Sequence, residues 1–322
     1  MGETELGGLL VLGASGFLGS HVLRAARGAS ALPVYAVSRK PPGGVGTNPE
    51  VSGLTWFSAD INDPVAMGRL FESLRPRACI LTAALSRMGA CEADPIGAQD
   101  TNSLAPEHIA HCAREARTRL VHVSSDLVFG GEPGRAAGYR EGDATAALSV
   151  YGRTKAEGEE RVLAANPSAL VCRLPLLYGD SGASGEWGKW GVAQGASDQI
   201  LAARARGERS VLFEDEIRTP LDVAQAATAL VELAGEEGLA AKVSGLLHVA
   251  GPLALDRYRF AELVLAAQGL SQEAIEAGLE RSTRAALGLE GQRPANVALD
   301  SSRARSLLRT ILDPPELALR RQ

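Results

Sequence analysis

Tyr151-Gly-Arg-Thr-Lys155 opens a helix-like segment, and residues four apart on a helix share one face. The Lys155 ammonium is therefore expected beneath the Tyr151 phenol. A free phenol titrates at about 10 and exchanges protons poorly at neutral pH. A neighbouring cation favours phenolate and brings the group closer to useful range. Ser125 adds to this pair, because it ends the strand-like run Val121-His-Val-Ser-Ser125-Asp126, and open α/β sheets bind ligands at that edge. Its hydroxyl can position the oxygen of a carbonyl being reduced, or of an alcohol being oxidised, and stabilise the charge developing there. Ser125, Tyr151 and Lys155 are the candidate reaction centre.

A second pattern implies what reacts with it. Gly13-Ala-Ser15-Gly16-Phe17-Leu18-Gly19 follows the first apolar run and opens the first helix. Gly13 permits a tight turn, Gly16 lets the backbone approach a pyrophosphate, and Gly19 lets helix and strand pack closely. The helix N-terminus then faces the phosphates with unpaired N–H groups and the positive end of its dipole. Gly13, Ser15, Gly16, Phe17, Leu18 and Gly19 are thus expected around a dinucleotide. After the second strand, where NAD-binding proteins commonly carry an acid for the ribose 2′-hydroxyl, the chain reads Ser38-Arg39-Lys40. A carboxylate would repel a 2′-phosphate, whereas Arg39 can grip one through its fork, with Lys40 adjacent. NADP(H) is the expected cofactor, with NAD(H) as the alternative. Asp60 and Ile61 follow the third strand where an adenine would sit, and Asp63 is free to cap the next helix.

These residues need a scaffold that alternates strands and helices, and the first half of the chain supplies one. Leu9–Leu12, Val34–Val37, Leu54–Phe57, Cys79–Ala83, Leu120–Val123 and Ala169–Leu174 are short runs, apolar on both faces. Helix-like stretches separate them, among them Phe17–Ala26, Val65–Leu74, Pro106–Ala116 and Val150–Ala164. Such strands imply a parallel sheet covered on both sides, an α/β doubly wound Rossmann fold. After Tyr178 the rhythm breaks into a Gly-, Ser- and Trp-rich stretch with Trp187 and Trp190. Helices are expected at Ser197–Gly207, Leu221–Leu233, Phe260–Gln268, Gln272–Leu279 and Arg293–Leu308, with a strand at Gly245–Ala250. A smaller, interleaved C-terminal α/β substrate domain is the expectation. The cofactor domain would span 1–177 plus about 211–250, and the substrate domain about 178–210 plus 251–322.

Bulk properties narrow the function classes. In 322 residues, 38 acids oppose 33 bases without a basic stripe, which argues against a nucleic-acid partner. No apolar run approaches a membrane span, and Glu3 and Glu5 stand where a signal peptide is basic, so a soluble cytoplasmic protein is expected. Cys79, Cys91, Cys112 and Cys172 lack C-x-x-C spacing, and Cys79 and Cys172 read as buried free thiols. His108 and His111 share a helix face without a third ligand nearby, so no metal site is expected. Glu157, Glu159 and Glu160 read as a solvated helix face.

The chain resembles the extended short-chain dehydrogenase/reductases, and within them the dTDP-4-dehydrorhamnose reductase group. Gly13–Gly19, Ser124-Ser125-Asp126-Leu-Val-Phe-Gly130, Tyr151-Gly-Arg-Thr-Lys155-Ala-Glu-Gly158 and Arg173-Leu-Pro-Leu-Leu-Tyr178-Gly179 carry the resemblance. Arg218-Thr-Pro220, Leu247-His-Val-Ala-Gly251 and Arg293-Pro-Ala-Asn-Val-Ala-Leu-Asp300 extend it to about residue 308. It implies hydride transfer from NADPH to the 4-keto group of a nucleotide-linked deoxysugar, with Tyr151 giving the proton and Lys155 also binding the nicotinamide ribose. It further implies that Ala83 and Ala84 line the cofactor, that Asn102 supports the site, that Ser125, Asp126, Tyr151 and Arg293 meet substrate, and that the protein is a homodimer. Arg218 suits a pyrophosphate contact or a structural ion pair, and Trp187 and Trp190 suit a base stack or a packed plug. Leu127 stands where sugar-nucleotide dehydratases of the superfamily carry a second acid, which argues against dehydration. Arg39 argues against the epimerases, which usually carry an acid after the second strand. The Arg173–Gly179 and Gln292–Asn296 runs are equally similar to the regulatory β subunit of methionine adenosyltransferase, which implies the alternative of a non-catalytic NADP-binding subunit. Reduction or epimerisation of another carbonyl substrate is a third reading.

Overall fold

Seven parallel strands form the centre of the protein in a computed structural model that describes residues 7–29, 33–40, 54–132, 134–135, 137–180, 195–235 and 238–321. Strand β1 (Leu9–Leu12) leads into helix α1 (Phe17–Ala29), followed by β2 (Val34–Ser38) and β3 (Leu54–Ser58). Next come α2 (Pro64–Leu74), β4 (Ala78–Leu81), the short helices α3 (Met88–Ala93) and α4 (Pro95–Gln99), a π-helical turn at Asp100–Leu104, and α5 (Ala105–Glu115). β5 (Arg119–Ser125), α6 (Val150–Ala165) and β6 (Leu170–Leu174) complete the first half.

The second half leaves the sheet and returns to it. β7 (Leu177–Tyr178), α7 (Ala196–Ala205), β8 (Ser210–Phe213), β9 (Ile217–Arg218) and β10 (Leu221–Asp222) precede α8 (Val223–Ala234). β11 (Gly245–His248) then pairs with β6, and the sheet runs β11-β6-β5-β4-β1-β2-β3. Last come β12 (Leu255–Asp256), α9 (Arg257–Ala267), α10 (Gln272–Gly278), β13 (Leu279–Ser282), α11 (Ser302–Leu307) and α12 (Pro315–Ala318).

Alternation along the strands explains why both faces are apolar. Val11, Ile80 and Val121 point into a core shared with Val22 of α1 and Leu230 of α8. Their neighbours Leu10, Cys79 and Leu120 point the other way, against Phe71 of α2, Ile109 of α5 and Val162 of α6. All four cysteines are buried free thiols. A further core joins Tyr178, Ile200, Leu212, Phe260, Val264 and Ile275 in the smaller C-terminal α/β region. Asp63 caps α2 by accepting from the N–H groups of Val65 and Ala66. No helix among the described residues is long and apolar enough to cross a membrane.

Two stretches differ from expectation. Only 302–307 of the expected Arg293–Leu308 helix is helical. Pro294 disfavours helix just before it, and the chain beyond lies extended, bridging Asn296 to Ile217 and Leu299 to Tyr139. The apolar run 211–213 belongs to β8, which pairs in parallel with β13 instead of joining the seven-stranded sheet.

Candidate active site

Strand order reverses between β1 and β4, and a cleft of about 440 Å³ opens there at the carboxyl ends of the strands. The glycine loop forms one wall. Gly13 has φ +88°, and a side chain on Gly19 would collide with the Gly13 carbonyl oxygen at 2.1 Å, so α1 is drawn tightly against the turn. A side chain on Gly16 would meet only that same oxygen, at 3.3 Å. That contact is tight, and the rest of the space above Gly16 is open. The empty volume above it is a cradle for a group entering from the cleft, opposite the N–H groups of the first turn of α1.

The cleft brings together most of the residues expected from sequence. Gly13, Ser15, Gly16, Phe17, Leu18 and Gly19 line it with Arg39, Asp60 and Ile61, and Ala83 and Ala84 follow β4 on the same wall. Ser125, Tyr151 and Lys155 line it as well. Lys40 is exposed and does not line it. Ser38, which sequence reasoning passed over, also lines the cleft, and its buried hydroxyl has no hydrogen-bond partner among the described residues. Arg39 lies next to it, with its carbonyl accepting from the Ser58 hydroxyl at 3.2 Å. The exposed Arg39 guanidinium, on a residue that lines the cleft, is a donor that fits a phosphate. Trp187 and Trp190 lie outside the described residues.

Helix α6 carries Tyr151 and Lys155, and Ser149 caps it by accepting from Gly152 N–H at 3.1 Å. Gly158 lets α6 approach the π-helical turn, where a side chain would strike the Asn102 carbonyl oxygen at 2.2 Å. Asn102 is fully buried and does not line the cleft. Its amide accepts from Leu85 N–H at 2.9 Å and donates to the Leu85 carbonyl at 3.0 Å and to Thr154 Oγ1 at 3.2 Å. Asn102 thus ties the cleft-lining loop after β4 to α6.

Ser125 Oγ donates to Asp126 at 3.2 Å and accepts from Leu127 N–H at 3.2 Å, and Tyr151 lines the same cleft. Lys155 is 1% exposed, and its ammonium donates to the Val123 carbonyl at 2.7 Å. Burial brings it down to about 8. The phenol departs from expectation. Burial pushes Tyr151 up to about 12, the Ser125 hydroxyl opposes this, and Asp126 adds to it. The lysine does not bring the phenol down because its ammonium is turned toward β5, and enclosure outweighs the remaining field.

Beside this centre lies a cluster of charges. Arg218 holds Asp126 through both carboxylate oxygens and lies 3.7 Å from Glu216, which pairs with Arg293 at 2.7 Å. Both Asp126 and Arg218 are buried, so Arg218 is engaged in a structural ion pair. Burial brings the nearby Arg257 guanidinium down to about 10, and its Nη1 has no partner among the described residues. Arg257 had no motif to betray it.

Glu159 also departs from expectation. It is 3% exposed, where sequence placed it on a solvated face, and it accepts from Ser124 Oγ at 2.5 Å and from Arg173 at 2.7, 2.9 and 3.1 Å. The partner that draws it inward stands on β6, out of reach of helix periodicity.

The RmlD substrate binding domain family matches residues 7–321. A probable low-salt glycan biosynthesis reductase of Haloferax volcanii is 30% identical over 292 residues, 91% of this chain and 89% of that protein. A dTDP-4-dehydrorhamnose reductase of Mycobacterium tuberculosis is 32% identical over 80% of this chain and 74% of its own length. A weaker likeness, 28% over 76% of this chain and 69% of the other, joins it to the methionine adenosyltransferase 2 subunit beta of Pongo abelii. In fold it is similar to a solved hypothetical dTDP-4-dehydrorhamnose reductase from Sulfolobus tokodaii, with TM-score 0.75, 24% identity, and coverage of 97% of this chain and 98% of that one. The chain belongs to the RmlD substrate binding domain family, and with it to the NAD(P)-dependent oxidoreductases of the extended short-chain dehydrogenase/reductase type.

Proposed function

We propose that this protein reduces the 4-keto group of a nucleotide-linked deoxysugar with NADPH, as the name of its M. tuberculosis relative suggests. The observation that carries the reading is that Ser125, Tyr151 and Lys155 line one cleft together with the glycine loop. Reduced nicotinamide supplies the hydride when bound. Ser125 holds the carbonyl oxygen, Tyr151 delivers the proton to it, and Lys155 fixes the cofactor ribose and the local field. Because Tyr151 sits at about 12, the phenol holds its proton at neutral pH, which suits a donor in the direction of reduction. The surplus of arginine over acid among Arg218, Arg257, Arg293, Asp126 and Glu216 supports an anionic substrate.

The test is consumption of NADPH by the purified protein offered a dTDP-4-keto-6-deoxyhexose. Tight NADPH binding without turnover would favour a binding subunit, the reading supported by the likeness to methionine adenosyltransferase 2 subunit beta.

Two further expectations belong to this site. Lys155 is charged below about 8 and loses its proton above it, so turnover should fall as pH rises through about 8. A pH–rate profile of kcat checks this, and an alkaline plateau would remove the ammonium from the mechanism. Arg39→Ala should raise the KM for NADPH roughly tenfold or more, the loss of one charge-assisted contact, and leave the KM for NADH nearly unchanged. Initial rates with the two cofactors decide it.

A further inference from the structure

A buried ammonium needs acceptors, and those of Lys155 are few. Among the described residues it donates to the Val123 carbonyl and meets His122 Nε2 at 3.3 Å. An ammonium has three donors, so the third is left for the cleft that Lys155 lines. The charged and titratable groups around it are Tyr151 and Glu159 on α6, His122 on β5 and Arg173 on β6. Glu159 is taken up by Arg173 and Ser124. His122 is therefore the side chain that accepts from this ammonium.

His122 is fully buried, and its Nδ1 has no hydrogen-bond partner among the described residues. A ring nitrogen that faces an ammonium must accept, so the proton of the neutral ring lies on Nδ1. There it is a buried donor without an acceptor. Native cores rarely keep such a group, and packing alone would favour an apolar side chain at this position. Burial and the Lys155 charge both hold the ring well below the usual histidine range, so it stays neutral and able to accept.

We propose that His122 is a positioning residue of the reaction centre: its Nε2 accepts from the Lys155 ammonium, fixes Nζ at the floor of the cleft and keeps it charged there. This rests on reading Lys155 as part of that centre, but the contact can be tested without turnover.

The chain has four lysines, Lys40, Lys155, Lys189 and Lys242, so ¹³C-lysine NMR of the whole protein can follow each ε-methylene through a pH titration, with Lys155→Met used only to assign the signal. In His122→Leu the Lys155 midpoint should fall by about one pH unit, because the charged form loses an acceptor. In His122→Gln, whose amide oxygen can accept, it should stay within about half a unit of the natural protein. An unchanged midpoint in His122→Leu, an equal fall in His122→Gln, or a His122→Leu protein that no longer folds would each overturn the proposal. If the protein turns over a dTDP-4-keto-6-deoxyhexose, the alkaline limb of kcat should move with the lysine midpoint. If it does not, the reductase reading fails while the titration still decides the role of His122.

Discussion

Tyr151→Phe is expected to lower kcat for carbonyl reduction roughly 10²–10⁴-fold, the usual worth of a positioned proton donor. Two hydroxyls line the cleft, and they divide the work of holding the oxygen and giving it a proton. Ser125 donates to Asp126 and receives the Leu127 N–H; turned to the carbonyl oxygen, its hydroxyl holds that oxygen and keeps its proton, which leaves the phenol as the donor. The phenol of Tyr151 is a weak acid at about 12, but the alkoxide formed by hydride addition is a far stronger base and takes the proton readily. Phenylalanine preserves the ring and the α6 packing, so the Kd for NADPH, measured by fluorescence titration, should change little. A kcat loss below tenfold would assign the proton to another group.

Glu159→Ala is expected to destabilise the fold by roughly 3–5 kcal/mol, because it leaves a buried guanidinium without its counter-charge. Arg173 is 2% exposed, and Glu159 receives both its Nε and its Nη2. Its remaining Nη1 reaches the Glu141 carbonyl and His248 Nε2, each at 3.3 Å, and burial brings His248 down to about 4, so that ring adds no charge. Neither contact replaces a carboxylate. The double variant Glu159→Leu with Arg173→Met should recover most of the loss, since an apolar pair of similar volume avoids the desolvation cost. Denaturant titration of the three variants decides the matter, and a single-variant loss below about 1 kcal/mol would show that water reaches Arg173. Glu159 also holds Ser124, the residue before Ser125, so loss of activity should accompany loss of stability.

Features set by neighbours in the chain were legible from the residues alone. The Gly13–Gly19 turn, the Asp63 cap, the shared face of Tyr151 and Lys155, and strands apolar on both sides all arise within about one helical turn or one strand. Backbone geometry repeats over such distances, so residue type and spacing carry the information. A doubly wound parallel sheet follows from it, because apolar strands joined by helices wind in only a few ways.

What tertiary structure decided is where charge and burial meet across long separations. Glu159 looked solvated until β6 brought Arg173 beneath it, and Arg218 had two roles open until the chain laid it against Asp126. Asn102 turned inward to Leu85 instead of toward a ligand. The phenol of Tyr151 rose where the lysine had been expected to lower it, because a pKa depends on everything that displaces water around the group. His122 carries no motif and becomes visible only as the acceptor beside Lys155. Periodicity assigns a residue to a face, but the electrostatics of a buried group are set by partners that periodicity does not contain.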